Sequence, residues 1–209
     1  MHRRTALSVS AVLLAAAPLL SACSNETRPG TAAVVGGERI TTSALQAQVN
    51  DVRAAQNRST TPTPAELVES SPRLERTKLR GLINSRILDK MAKDAGITVT
   101  TKEIEEQRKE LVDSSGGPQK FQAAILQEAV TAPGQIDRFI TDQLLLSKLM
   151  EKYGKDKLTA PASAAAEKLG IEVNPRYGSW DAEGIRLGDG TTPWIIQRTR
   201  PEQAVPAGT

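Results

Sequence analysis

The residue types that carry most protein chemistry are nearly absent from this chain. Its single histidine, His2, lies in an N-terminal leader that is read below as removed, so Ser/His/Asp or Cys/His catalysis and histidine zinc sites are excluded from the mature chain. Cys23 is the only cysteine, which rules out an intramolecular disulfide, a CxxC redox pair and a cysteine zinc site. Glu103, Glu105, Glu106 and Glu110 are the densest carboxylates, yet they alternate with Lys102, Arg108 and Lys109 at helical spacing and read as a solvated face. Gly36-Gly37 lacks the further glycine and the Lys-Ser/Thr of a phosphate loop. Asp181, Glu183 and Asp189 lack the spacing and closing glutamate of a calcium loop. Neither metal nor cofactor is expected. Tyr177 and Trp180 remain, able either to stack on a guest or to pack against the domain they close.

Cys23 has a different chemistry open to it. Arg3 and Arg4 precede an apolar run from Ala6 to Leu20, the layout of a secretory leader and too short for a comfortable membrane span. The run ends in Leu20-Ser21-Ala22-Cys23, which resembles the bacterial lipobox, where the thiol receives diacylglycerol. Such acylation tethers a protein stably, since each buried methylene is worth about 0.8 kcal/mol and more than one chain is attached. Loss of Arg3 and Arg4 with the leader lowers the 27 basic residues to 25 against 24 acidic ones, a balance that gives no reason to expect nucleic acid as a partner.

The elements follow from periodicity. Ala32-Val35 and Glu38-Ile40 around Gly36-Gly37 predict a hairpin with a primed turn. Ser43 with Gln46 predicts a capping box opening a helix to about Asn57 on the stripe Leu45, Val49, Val52. Pro62 and Pro64 form a stiff connector. Leu79, Leu82, Ile83, Ile87 and Met91 set one face of a long helix from Ser71-Pro72 to Ala95. Amphipathic helices follow from Thr101, on the stripe Ile104 and Leu111, and around Phe121, Ile125 and Leu126, separated by Ser114-Pro118. From Ile136 to Tyr153 the apolar residues fall nearly all round the helix, so it is either covered on several sides or left open to a guest. An alanine-rich helix, Ala160–Leu169, precedes Ile171-Glu172-Val173, the one further alternating stretch. That stretch, through Trp180, is expected to fold back on the hairpin, because two strands alone are marginal in water.

Val34-Val35-Gly36-Gly37-Glu38-Arg39-Ile40, the helix after it, and Leu82-Ile83 leading through Leu88, Ala92 and Ala95-Gly96-Ile97-Thr98-Val99-Thr100 to Glu103-Ile104 resemble the SurA and PrsA N-terminal chaperone domain. The resemblance covers roughly Ala32 to Tyr153, and Val173-Asn174-Pro175-Arg176-Tyr177-Gly178 looks like the end of short actinobacterial lipoproteins of the same group. Family members commonly carry a parvulin prolyl isomerase domain after this lobe. No room for one exists between Tyr153 and Ala160, and the mature chain lacks the parvulin histidines, so the resemblance implies a chaperone-like lobe without isomerase activity.

The expected fold is mostly α: a helical lobe with a small N-terminal β-hairpin completed by a C-terminal strand. Residues 1–22 are expected to be the signal peptide, 23–31 a lipidated tether, 32–181 the helical domain and 182–209 a Gly/Pro-rich tail, partly disordered. The expected function is ATP-independent binding of unfolded or exported polypeptides by a lipoprotein on the extracytoplasmic face of the cell membrane, with no enzymatic activity. Candidate client contacts are Phe139, Leu145, Tyr177 and Trp180. The rivals are an envelope assembly lipoprotein with one specific partner and a carboxylate-dependent hydrolase.

Overall fold

A computed structural model describes residues 29–59 and 71–188. The leader, Cys23, the Pro62-Pro64 connector and the Trp194-Ile195-Ile196 triplet lie outside the described residues.

Strands β1 (Thr31–Val35) and β2 (Glu38–Thr41) pair antiparallel, closing at Val35 opposite Glu38. Gly36 and Gly37 turn the chain with φ of +62° and +78°, the positive values a primed two-residue turn demands. Strand β3 (Glu172–Val173) adds to the other side of β1, with Ala33 opposite Val173 and Val34 opposite Glu172, in the order β2-β1-β3. The third strand is thus the one the sequence predicts. Asn174 ends it: its backbone N–H donates to Ala32 O at 2.9 Å and its amide to Thr31 O at 2.9 Å. Pro175 follows at the sheet edge, where a missing N–H costs no ladder bond.

Helix α1 (Thr42–Arg58) leaves β2 directly and buries Leu45, Val49, Val52 and Ala55. Its cap is Thr41, whose hydroxyl accepts the Ala44 N–H at 3.1 Å, instead of the predicted Ser43. The reason is continuity: Thr41 is still paired with Thr31, so the switch from extended to helical backbone falls on Thr41 itself. Helix α2 (Ser71–Ala95) runs about 37 Å through the molecule at 1.5 Å per residue. Leu79, Ile83, Ile87 and Met91 meet the sheet, Leu45 and Tyr177 in the principal core, while Leu74 joins Val49, Val52 and Ala55 in a second.

Helices α3 (Thr101–Ser114), α4 (Pro118–Glu128) and α5 (Ile136–Tyr153) follow, then α6 (Thr159–Leu169) after the short Gly154–Leu158 link, which leaves no space for an inserted domain. Ala165 and Ala166 of α6 are buried in the principal core, small enough to let α6 lie close on α2. The carbonyl of Leu169 accepts the Gly36 N–H at 2.6 Å, which docks the hairpin turn on the end of α6. Arg138 on α5 reaches Asp89 of α2 at 3.0 Å and Asp142 at 2.7 Å, and Asp142 also accepts the Ser85 hydroxyl. Burial pushes the Asp142 carboxyl up, against the pull of those two partners.

Strands β4 (Ser179–Asp181) and β5 (Arg186–Gly188) form a closing hairpin. Residues 182–188 of the expected tail are among the described residues and carry the turn and β5. Asp181 makes the turn, accepting the Gly184 N–H at 3.0 Å and pairing with Arg186 Nε at 2.9 Å. Gly178 has φ of +135°, and a Cβ there would fall 2.3 Å from Gly188 O, so only glycine fits. Among the described residues no helix is long and apolar enough to cross a membrane.

Candidate functional site

The α3, α4 and α5 helices share a third apolar cluster that differs from the other two. Thr100 and Glu103 form a reciprocal capping box that starts α3, and Gly117 at φ +114° followed by Pro118 turns the chain into α4. Phe121, Ile136 and Ile140 are fully buried between these helices. Around these three lie six half-buried apolar side chains: Ile104, Leu111, Val112, Ile125, Phe139 and Leu144. In the second core the proportion is reversed, six buried residues against Val130 alone. Helix α3 buries none of its side chains fully. The cluster is thus a thin core whose apolar rim stays in contact with water. Such a surface can take up apolar segments.

Charge around this rim is mixed and outward. Arg108 pairs with Asp137, Lys109 with Asp113 at 2.8 Å and Lys102 with Glu106 at 3.6 Å, all substantially exposed. Glu105, Glu106 and Glu110 are exposed as a solvated helix face would have them.

Helix α5 holds the lobe in place through two lysines one turn apart. Lys152 Nζ donates to Ala95 O at 2.5 Å at the end of α2, where a cation complements the helix dipole. Lys148 Nζ donates to Thr98 O at 2.8 Å and meets Glu103 Oε1 at 2.5 Å. The Gly96–Thr100 link between α2 and α3 is therefore clamped by α5. The Lys148 ammonium, followed by the Thr100 backbone and hydroxyl, holds the Glu103 carboxyl down at about 2.

The sequence-predicted contact residues separate in space. Phe139 lies on the rim of the α3–α4–α5 cluster. Leu145, six residues further along α5, is 5% exposed and presents almost no surface. Tyr177 is 2% exposed in the principal core, with Arg176 over its ring at 5.8 Å, and Trp180 packs half-buried against the same core. Cys23 lies outside the described residues. Sequence reasoning picked out Ile104, Leu111 and Ile125 only as helix stripes. Their half-exposure depends on how few layers cover them, which periodicity does not encode.

No curated protein and no solved structure gives a significant match to the chain. A family model does: that of the SurA-like N-terminal domain matches residues 4–150, taking in the hairpin, α1 to α4 and α5 as far as Met150, with α6 and β3–β5 beyond it. Hairpin, long helix, clamped Gly-Ile-Thr-Val-Thr link and acidic helix occur in the order the resemblance required, and the chain belongs to the SurA-like N-terminal domain family.

Proposed function

We propose that this protein is a lipoprotein, anchored through diacylglycerol on Cys23 at the extracytoplasmic face of the cell membrane, that binds unfolded or exported polypeptides without ATP. Family membership supports a chaperone-like role. The observation that carries the binding reading is the set of six partly buried apolar side chains on α3, α4 and α5. Burying that rim under an apolar segment gains roughly 25 cal/mol per Å², set against the cost of ordering a flexible client. Contact is then weak and reversible, which suits holding over permanent capture. The nearly balanced charge of the mature chain leaves selection to apolar surface. With no histidine in the mature chain, the parvulin chemistry of larger relatives has no counterpart, and the reading we propose is a binding protein rather than an enzyme.

The test is an aggregation assay. The mature chain slows light scattering by a reduced, unfolded model protein without nucleotide and leaves prolyl isomerisation at its uncatalysed rate. Acceleration of isomerisation contradicts the non-enzymatic reading, and no suppression of any of several unrelated clients favours a single dedicated partner. Anchoring has its own test: Cys23→Ala abolishes palmitate labelling of the precursor, and unchanged labelling refutes the lipoprotein assignment.

A further inference from the structure

Helices α1, α2 and α5 meet at a polar junction that lies apart from the three apolar clusters. Lys78, half-buried on α2, donates from Nζ to Gln135 Oε1 at 2.6 Å, and Gln135 Nε2 donates in turn to the Gln48 carbonyl of α1 at 3.1 Å. Gln135 is the residue from which α5 starts. A relay of two hydrogen bonds therefore pins the start of α5 to both α1 and α2.

The partner of this lysine sets it apart. Lys90, Lys102, Lys109, Lys148 and Lys168 each meet a carboxylate. Lys93, Lys120, Lys152, Lys155 and Lys157 are exposed, where water solvates the ammonium. Lys78 is bonded to a neutral amide oxygen, and Asp51 of α1 attracts it without a hydrogen bond. Other charges on the packed elements are engaged elsewhere: Glu75, a turn earlier on α2, accepts from Gln46 at 2.8 Å, Asp137 pairs with Arg108, and Arg138 pairs with Asp89 and Asp142. Arg53 on α1 and Arg76 and Arg80 on α2 lie about 200° round their helices from Asp51 and Lys78. Burial strips water from the ammonium and, against the pull of Asp51, holds the Lys78 amine down at about 8 from 10.5. Between those values the unfolded chain binds more protons than the folded one, so stability rises with pH across that window.

We infer that this junction is a pH-responsive latch: with its proton, Lys78 sets a poorly solvated charge against Gln135, and without it the same bond is made uncharged, so the seat of α5 tightens as the medium passes from neutral to mildly alkaline. Phe139 of the rim lies one turn beyond Gln135, which places the latch at the base of that face. The latch itself does not depend on the polypeptide-binding reading, and its test needs no client.

The experiment uses the chain from Ser24 to Thr209, which retains every described element and carries no acyl anchor. Lysine side-chain carbon signals are followed by NMR from about pH 6 to 11, and urea midpoints are measured over the same range. One lysine inflects at about 8 and Lys78→Met removes that inflection. The parent's urea midpoint climbs by roughly 0.5–1 M between about pH 7 and 9.5, while that of Lys78→Met stays level. Gln135→Glu puts a carboxylate where the amide stood, so the inflection moves upward and the climb shrinks, an effect that lost packing alone does not produce. No lysine inflecting below about 9.5, or an equal climb in Lys78→Met, overturns the inference. Should Lys78→Met fail to fold, an unmoved inflection in Gln135→Glu overturns it instead.

Discussion

Tyr177 shows how a single residue can hold a stabilising and a destabilising feature together. Its ring fills the principal core, but its hydroxyl is buried without a hydrogen-bond partner among the described residues. An unsatisfied buried hydroxyl costs roughly 1–3 kcal/mol, so Tyr177→Phe should raise stability by about 1 kcal/mol, read as a higher urea midpoint with an unchanged slope. A lower midpoint would mean the hydroxyl has a partner. Trp180 is half-buried, so Trp180→Ala should cost less than the ~3 kcal/mol of a fully buried ring. Glu103 gives a pH signature with a definite sign. Its carboxyl lies near 4.5 when unperturbed and at about 2 in the fold, so its contribution is complete above 4.5 and is lost as pH falls through that interval. Lys148→Met removes the first cause of the shift, and thermal melts of the variant should lose less stability over that range than the parent does. An identical acid profile would show that the clamp is absent in solution. The site was only partly legible at this scale. Phe139 stood out by type and position, but exposure is a property of neighbours, and Leu145 looks equally apolar in the sequence while lying buried.

The sheet and its docking turn set the stability of the elements. Gly36 and Gly37 both have positive φ, yet they are not equivalent: a Cβ on Gly36 would meet Leu169 Cδ2 at 2.8 Å, while one on Gly37 meets nothing within 4 Å. Gly37→Ala should cost about 1–2 kcal/mol from backbone strain alone, and Gly36→Ala more, because α6 must also give way. Equal midpoints in chemical denaturation would show that the turn is not docked on α6. Truncation after Gly170 removes β3, Tyr177 and the closing hairpin together, and should lower the melting temperature of the whole domain in one transition. An unchanged melting temperature would contradict a core shared by the first and last elements. Long periodic segments were legible: α2 and α5 run where their apolar spacing places them. So was β3, because a lone hairpin needs a third strand. The β4–β5 hairpin was not, since its strands of three residues are too short to show alternation and its turn depends on Asp181 bonding its own neighbours. Thr41 displaced Ser43 as cap because strand pairing, a long-range effect, fixes where the helix can start.

At the scale of the whole molecule the three cores are unequal. The principal core joins both ends of the described chain and the second is well covered, while the α3–α4–α5 cluster leaves most of its apolar residues only partly buried. Well-covered cores and a partly exposed apolar face are thereby separated within one small domain, as the proposed binding of clients requires. The most direct test measures the affinity of the mature chain for a fluorescently labelled, permanently unfolded polypeptide and compares it with that of Phe139→Ser/Leu144→Ser. The account predicts saturable binding by the parent and at least about tenfold weaker binding by the variant, with the variant's helical circular dichroism retained. Absence of binding by the parent, or equal affinity in a folded variant, would contradict the claim that this face receives unfolded chains.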